Sequence, residues 1–211
     1  MLYEVIQTGS DGNSILYNGN ILLDCGIPYS KIKPYLKQIS LVLLTHAHAD
    51  HFLKSTIRRL AIERPALRFA CGEWLQPLLE DCGVKNIDVL EMNEVYDYGI
   101  CKISPFSLYH DVPNCGWRIF LNNGERVFHA TDTNTLEGLS AVGYDYYFIE
   151  ANFDEEQILV DIAEKMALGK FAYEIGAMNS HLSFQKSQAF VDENAIGTHT
   201  FVKLHMSKRY L

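Results

Sequence analysis

Leu41-Val42-Leu43-Leu44-Thr45-His46-Ala47-His48-Ala49-Asp50-His51 is the stretch that decides how this chain is read. Its first four residues are wholly apolar and read as a short strand buried on both faces. Three imidazoles and a carboxylate follow between His46 and His51. Such a run is a poor choice for a core and an odd choice for a surface loop. At the C-terminal end of a buried strand, one loop can turn all four side chains into a single cleft. Imidazole and carboxylate together suit zinc and neighbouring divalent metals. With His46 and His48 alternating and Asp50 and His51 displaced from them, the four can serve two adjacent ions.

Outward from this stretch the pattern is strands first, then helices. Residues 2–8 alternate as a strand, and Gly9-Ser10-Asp11-Gly12-Asn13 is dense turn chemistry. Residues 14–17 and 21–24 read as a hairpin around Asn18-Gly19-Asn20. Helical spacing covers 29–38, 53–63 and 73–81, with a strand at 68–71. The middle, 88–128, reads as strands broken by turns such as Asn122-Asn123-Gly124. A buried strand at 144–150, helices at 155–167 and 184–193 and a strand at 200–204 complete the chain. The expectation is an α/β (α+β) fold of two sheets face to face with helices outside, one domain over residues 1–211.

Composition excludes several classes. With 48% hydrophobic and 21% charged residues, the 211-residue chain can bury a sizeable core. No apolar run approaches the roughly 20 residues of a membrane helix, and the N-terminal MLYEVIQTGS has no signal-peptide pattern. The expected location is therefore the cytoplasm, with no membrane partner. Five irregularly spaced cysteines (25, 71, 82, 101 and 115) read as reduced, buried thiols rather than a disulfide or zinc-ribbon framework. The formal charge of −8 argues against coating nucleic acid non-specifically. Residues 31–68 nevertheless hold eight Lys and Arg, which suit either a phosphate-facing patch or an ordinary solvated helix face.

The H-x-H-x-D-H string resembles the signature of the metallo-β-lactamase fold hydrolases, and further pieces arrive in that family's order. Asp24 in Leu22-Leu23-Asp24-Cys25-Gly26 matches the strand-end aspartate before the motif, His110 the third histidine, Asp132 the bridging aspartate and His205 the final histidine. The H-x-S-x-R-Y context of His205 through Tyr210 is similar to ribonuclease Z. Gly9-Ser10-Asp11-Gly12-Asn13-Ser14, Ile149-Glu150-Ala151-Asn152 and Ser180-His181-Leu182-Ser183 look most like the compact YycJ-type enzymes. There is no insertion that could form the cap of the larger RNA-processing nucleases, and no Gly/Pro-rich arm of the kind that grips tRNA.

The resemblance implies a four-layer αββα sandwich holding two divalent ions, zinc first and manganese second. His46, His48 and His110 would hold one ion, Asp50, His51 and His205 the other, and Asp132 would bridge. Asp24 would sit behind the ligands and fix an imidazole tautomer. A hydroxide bridging the ions would attack a phosphodiester of nucleic acid or a nucleotide, with Asp50, His181 and Glu150 as the catalytic groups. His181, on a loop before the helix near Phe184, would protonate the leaving group, and Glu150 would fix its imidazole; the competing reading is that Ser180 and His181 merely cap that helix. A cyclic-nucleotide phosphodiesterase and a carbonyl-ester hydrolase of the glyoxalase II or lactonase kind remain alternatives, and a homodimer is left open. His129 and His199 are assigned no site role.

Overall fold

Short apolar runs become the inner strands of two six-stranded sheets in the computed structural model, which describes residues 1–207. Lys208, Arg209 and Tyr210 of the C-terminal motif lie outside the described residues. The chain divides into two units, residues 1–94 with 112–115, and residues 95–111 with 116 onward.

The first unit carries β1 (Tyr3–Gln7), β2 (Ser14–Tyr17), β3 (Ile21–Leu23), β4 (Leu41–Leu43), β5 (Arg68–Cys71) and β6 (Asn86–Val89) in spatial order one to six. The first three pair antiparallel and the last four parallel, with Leu22 beside Val42 and Val42 beside Phe69. Parallel pairing needs crossovers, and α1 (Tyr29–Ile32), α2 (Lys54–Glu63) and α3 (Gln76–Asp81) supply them. In α2 the buried residues Thr56, Ile57, Leu60 and Ala61 recur at helical spacing, and the last three pack into one cluster with Leu22, Val42 and Phe69. Burying Leu60 alone contributes about 1.5–3 kcal/mol relative to exposure.

The expected helix at 29–38 is shorter than its periodicity suggests. It ends as α-helix at Ile32, and residues 33–35 tighten into a 3₁₀ turn. Pro34 lacks the N–H that would continue the helical ladder. The hairpin forms as expected, with Asn18 and Gly19 at φ 50° and 72°.

The second unit carries β7 (Tyr96–Asp97), β8 (Cys101–Leu108), β9 (Asn114–Leu121), β10 (Arg126–Ala130), β11 (Tyr146–Glu150) and β12 (Thr200–Leu204), in the order β12-β11-β10-β9-β8-β7. Here β10, β11 and β12 run parallel. Three helices lie in sequence between β11 and β12: α4 (Glu155–Ala167), α5 (Glu174–Ser180) and α6 (Phe184–Asn194). The Phe128 ring stacks between Phe106 and Phe190, at 4.8 and 5.3 Å, in the core of this unit. The cap of α6 is Ser183, whose Oγ accepts from Lys186 N, so neither Ser180 nor His181 caps that helix. Instead Ser180 ends α5, a helix the sequence reading did not anticipate, and His181 is its C-cap. Among the described residues no helix is long and apolar enough to cross a membrane.

Two tight backbone approaches seat the histidine-rich loop in the first unit. Asn13 N donates to Asp50 O and Cys25 N to His51 O, while Leu53 N returns a bond to Cys25 O. Gly26 lies so close that an added Cβ would stand 1.7 Å from the Asp50 carbonyl oxygen. Backbone cannot yield as a flexible side chain does. Gly26→Ala is therefore expected to cost at least ~3 kcal/mol, lowering the thermal midpoint by roughly 6–12 °C in a circular-dichroism melt. An unchanged midpoint would show that the loop is not seated this way.

Candidate metal centre

The first unit supplies the histidine cluster from the loop after β4. Asp24, the residue after β3, has a buried carboxylate that accepts three bonds: from Thr45 N (2.9 Å), from Thr45 Oγ1 (2.9 Å) and from His51 Nδ1 (2.6 Å). A carboxylate can only accept, so His51 carries its proton on Nδ1 and its lone pair on Nε2. Thr45 Oγ1 has given its hydrogen to Asp24, so it accepts from His46 Nδ1 at 3.0 Å. That places the His46 lone pair on Nε2 as well. The His46 ring lies 4.8 Å from His48 and 4.3 Å from His51, centroid to centroid. Asp50 Oδ2 is 3.7 Å from His51 Nε2, and the Asn13 amide reaches both, at 3.3 Å and 2.8 Å.

The second unit carries a cluster of its own at its strand ends. Asp132 follows β10, Glu150 ends β11 and His205 follows β12, so three adjacent parallel strands deliver their C-terminal residues to one edge of the sheet. Asp132 and His205 have φ of 56° and 50°, as Asp24 has 56° in the first unit. Non-glycine residues there are strained by about 1–3 kcal/mol each, and such strain gathers at functional sites. The ligand atoms of Asp132, Glu150, His181 and His205 all lie within 4.8 Å of one another.

His110, just after β8, donates from Nδ1 to Ser180 O at 3.0 Å. Its Nε2 lies 3.1 Å from Asp111 Oδ1 and 3.8 Å from Asp132 Oδ2. Burial pushes its pKa down against the nearby charge of Asp132, which keeps the ring neutral, the state a ligand needs. His181 differs. Burial works to lower its pKa too, but Glu150 Oε1, 2.5 Å from Nδ1, outweighs that and holds the imidazole above its ordinary value. Glu150 is wholly buried, and the same pairing, set against desolvation, holds its carboxyl below the usual range. Its Oε2 accepts from Thr133 N at 3.0 Å and Leu182 N at 3.4 Å.

Within each unit the predicted site residues come together: Asp24, His46, His48, Asp50 and His51 in one, His110, Asp132, Glu150, His181 and His205 in the other. His129 is buried beside Thr131, deeper than the partly buried or surface place its sequence context suggests, and His199 is exposed. Four supporting groups were not read from the sequence as site residues: Thr45, Asn13, the Ser180 carbonyl and Asn152, whose amide reaches His205 Nδ1 at 3.1 Å and its carbonyl at 2.9 Å. Thr45 stands out as the polar residue between a buried strand and the first histidine, and Asn13, Asn152 and Ser180 lie within the segments that carry the family resemblance.

The donor set fits a borderline divalent ion. It offers imidazole and carboxylate and no thiolate, and in His46, His51 and His110 a protein acceptor takes one ring nitrogen and leaves the other for a metal. All five cysteines are free and buried. Desolvation holds Cys25 and Cys115 well above the usual thiol range, with Asp24 adding to it, and pushes Cys71 and Cys101 up to about 12. They are neutral thiols of the core.

A family model for the beta-lactamase superfamily domain matches residues 19–206, across both units. The chain is 23% identical over 173 residues to the exodeoxyribonuclease YycJ of Bacillus anthracis, a match covering 74% of this chain and 64% of that protein. Among solved structures, the metallo-β-lactamase fold protein YhfI of Bacillus subtilis aligns with 98% of this chain and 86% of its own, at TM-score 0.75 and 16% identity. The short form of human tRNase Z aligns with 98% of this chain and 93% of its own, at 0.71 and 16%. A diphosphatase of the PhnP family follows at 0.67 and 16%, over 97% of this chain and 85% of its own. With a ligand-forming loop after β4, convergent strand ends after β10 to β12 and a family match across most of its length, the chain belongs to the beta-lactamase superfamily and has the metallo-β-lactamase fold.

Proposed function

We propose that this protein is a metal-dependent phosphodiesterase acting on nucleic acid or nucleotides. The observation that carries this reading is the Glu150–His181 pair at the same sheet edge as Asp132 and His205. An alkoxide leaving a phosphodiester is strongly basic and needs a proton, whereas the thiolate leaving a thioester departs without one. A histidine charged by a fully buried carboxylate is suited to the first task and superfluous to the second. Membership of the superfamily supports a hydrolase, and the named activities of YycJ and tRNase Z support nucleic acid as the substrate class.

The family's ligand order assigns His46, His48 and His110 to one ion, Asp50, His51 and His205 to a second and Asp132 to both. Bound there, two such ions would supply an acidified water and charge neutralisation at a phosphorus centre. The chain's own residues do the rest. Asp24 holds the His51 proton on Nδ1 and keeps Thr45 turned toward His46. Asn152 ties His205 by ring and carbonyl. Glu150 accepts from His181 Nδ1, leaving the proton on Nε2 to go to the departing oxygen.

A substrate panel tests the reading: bis-p-nitrophenyl phosphate, single- and double-stranded DNA, RNA, cyclic nucleotides, a thioester and a lactone. Turnover of the last two with none of the phosphodiesters would reverse it.

Elemental analysis after loading with zinc or manganese is expected to give two ions per chain. Asp132→Ala should lower the occupancy of both and abolish turnover; retention of two ions and full activity would remove the bridge. Asp24→Asn leaves the fold's ladder intact but weakens the hold on His51, and should lower metal affinity about 10- to 100-fold in a chelator competition. Unaltered affinity would reduce Asp24 to a packing role. His181→Ala should keep its metal and lose roughly 10²–10⁴ in kcat on an oligonucleotide. The loss should be much smaller on bis-p-nitrophenyl phosphate, whose leaving group needs no proton. Equal losses on both substrates would count against His181 as the acid.

A further inference from the structure

In the second unit lies a cleft of about 520 Å³ that shares His110 and Ser180 with the centre above and extends beyond them. Its volume lies within the usual range of small-molecule sites. Tyr109, Asp111 and Asn134 line it from strand-end loops, Asn179 and Ser180 from α5, and His110 closes one side. Among the described residues no lysine or arginine lines it, and the carboxylate that does is that of Asp111. What it offers is one aromatic face and several hydrogen-bond acceptors. The Tyr109 side chain is 63% exposed, yet its backbone is pinned from both directions, by Tyr109 N to Thr133 Oγ1 at 3.2 Å and Asn134 N to Tyr109 O at 3.0 Å. Asn134 Nδ2 is committed to Asn179 O at 3.0 Å, which fixes the amide and leaves Oδ1 to accept.

A second observation comes from the opposite wall. Gly176, the third residue of α5, lines this wall without a side chain. Its φ is not positive, and an added Cβ would meet nothing within 4 Å. Neither backbone conformation nor close packing requires a glycine there. Its effect is to keep that wall of the cleft open.

We propose that this cleft is a nucleobase site, in which the base stacks on Tyr109 and presents an amino edge to the Asn134 and Asp111 oxygens. It thereby seats the nucleoside next to the scissile phosphate. The proposal rests on the nucleotide reading of the adjoining centre and names the part of the substrate that is recognised. Adenine and cytosine carry an exocyclic amine at this edge, and uracil carries a carbonyl, which would meet two acceptors unfavourably.

Calorimetric titration of the zinc-loaded protein with AMP, UMP and ribose 5-phosphate tests it, since the third ligand keeps sugar and phosphate and lacks a base. AMP is expected to bind about tenfold more tightly than ribose 5-phosphate, with UMP between them. Tyr109→Ala should erase the difference and Tyr109→Trp should keep it. Gly176→Phe, which needs no strained backbone, should erase it by filling the cleft. Equal binding of AMP and ribose 5-phosphate by the unmodified protein, or a preference that survives both Tyr109→Ala and Gly176→Phe, would overturn the site. Base-dependent binding without phosphodiester turnover would support the site and sink the hydrolytic reading. Turnover without base-dependent binding would do the reverse.

Discussion

The carboxylate of Asp24, buried at the end of β3, takes hydrogen bonds from Thr45 N, Thr45 Oγ1 and His51 Nδ1, and the histidine loop is arranged around it. A charge so deeply placed is tolerated only while every partner is present, and removing one partner of such a set costs on the order of 3–5 kcal/mol. Parallel pairing of β3 with β4 puts Leu23 beside Leu43, which brings Asp24, one residue past its strand, and Thr45, two past its own, within reach. The constraint therefore runs from apolar strand to strand register, from register to hydrogen bonds, and from hydrogen bonds to imidazole tautomer.

The second unit uses the same device in another form. Parallel strands β10, β11 and β12 end in register, and the residues at or just beyond their ends are Asp132, Glu150 and His205. Two of these sit at positive φ, as Asp24 does. Strain of a few kcal/mol in total is a sizeable share of the 5–15 kcal/mol by which a domain is usually stable. The apolar strands and the stacked rings of Phe106, Phe128 and Phe190 are what offset it.

The acceptor on Nδ1 orients each ring. The Thr45 hydroxyl for His46, the Asp24 carboxylate for His51 and the Ser180 carbonyl for His110 each take that nitrogen and turn Nε2 the other way. The buried carboxylate of Glu150 instead favours the charged form of His181. Side chains of one type thus take up different chemistry within a few ångströms: the His110 and His181 rings are 5.4 Å apart, and those of His181 and His205 5.1 Å.

The strands and most helices were legible because their signals are local. The apolar run at 41–43, the Asn18-Gly19 turn and the apolar period of α2 each act over a few residues. So was the ligand loop, because His46 through His51 are neighbours in the chain. Helix α5 was not, since its seven residues carry a glycine in the first turn and no apolar stripe, and too few turns to nucleate alone. The roles of Asn13, Asn152 and the Ser180 carbonyl were equally hidden. Their partners lie 37, 53 and 70 residues away, so only strand order and the return of α5 bring them together. Sequence by itself determined which side chains were available for chemistry and which strands would be buried. Tertiary structure decided which nitrogen of each imidazole stays open, because that depends on an acceptor supplied from a distant part of the chain.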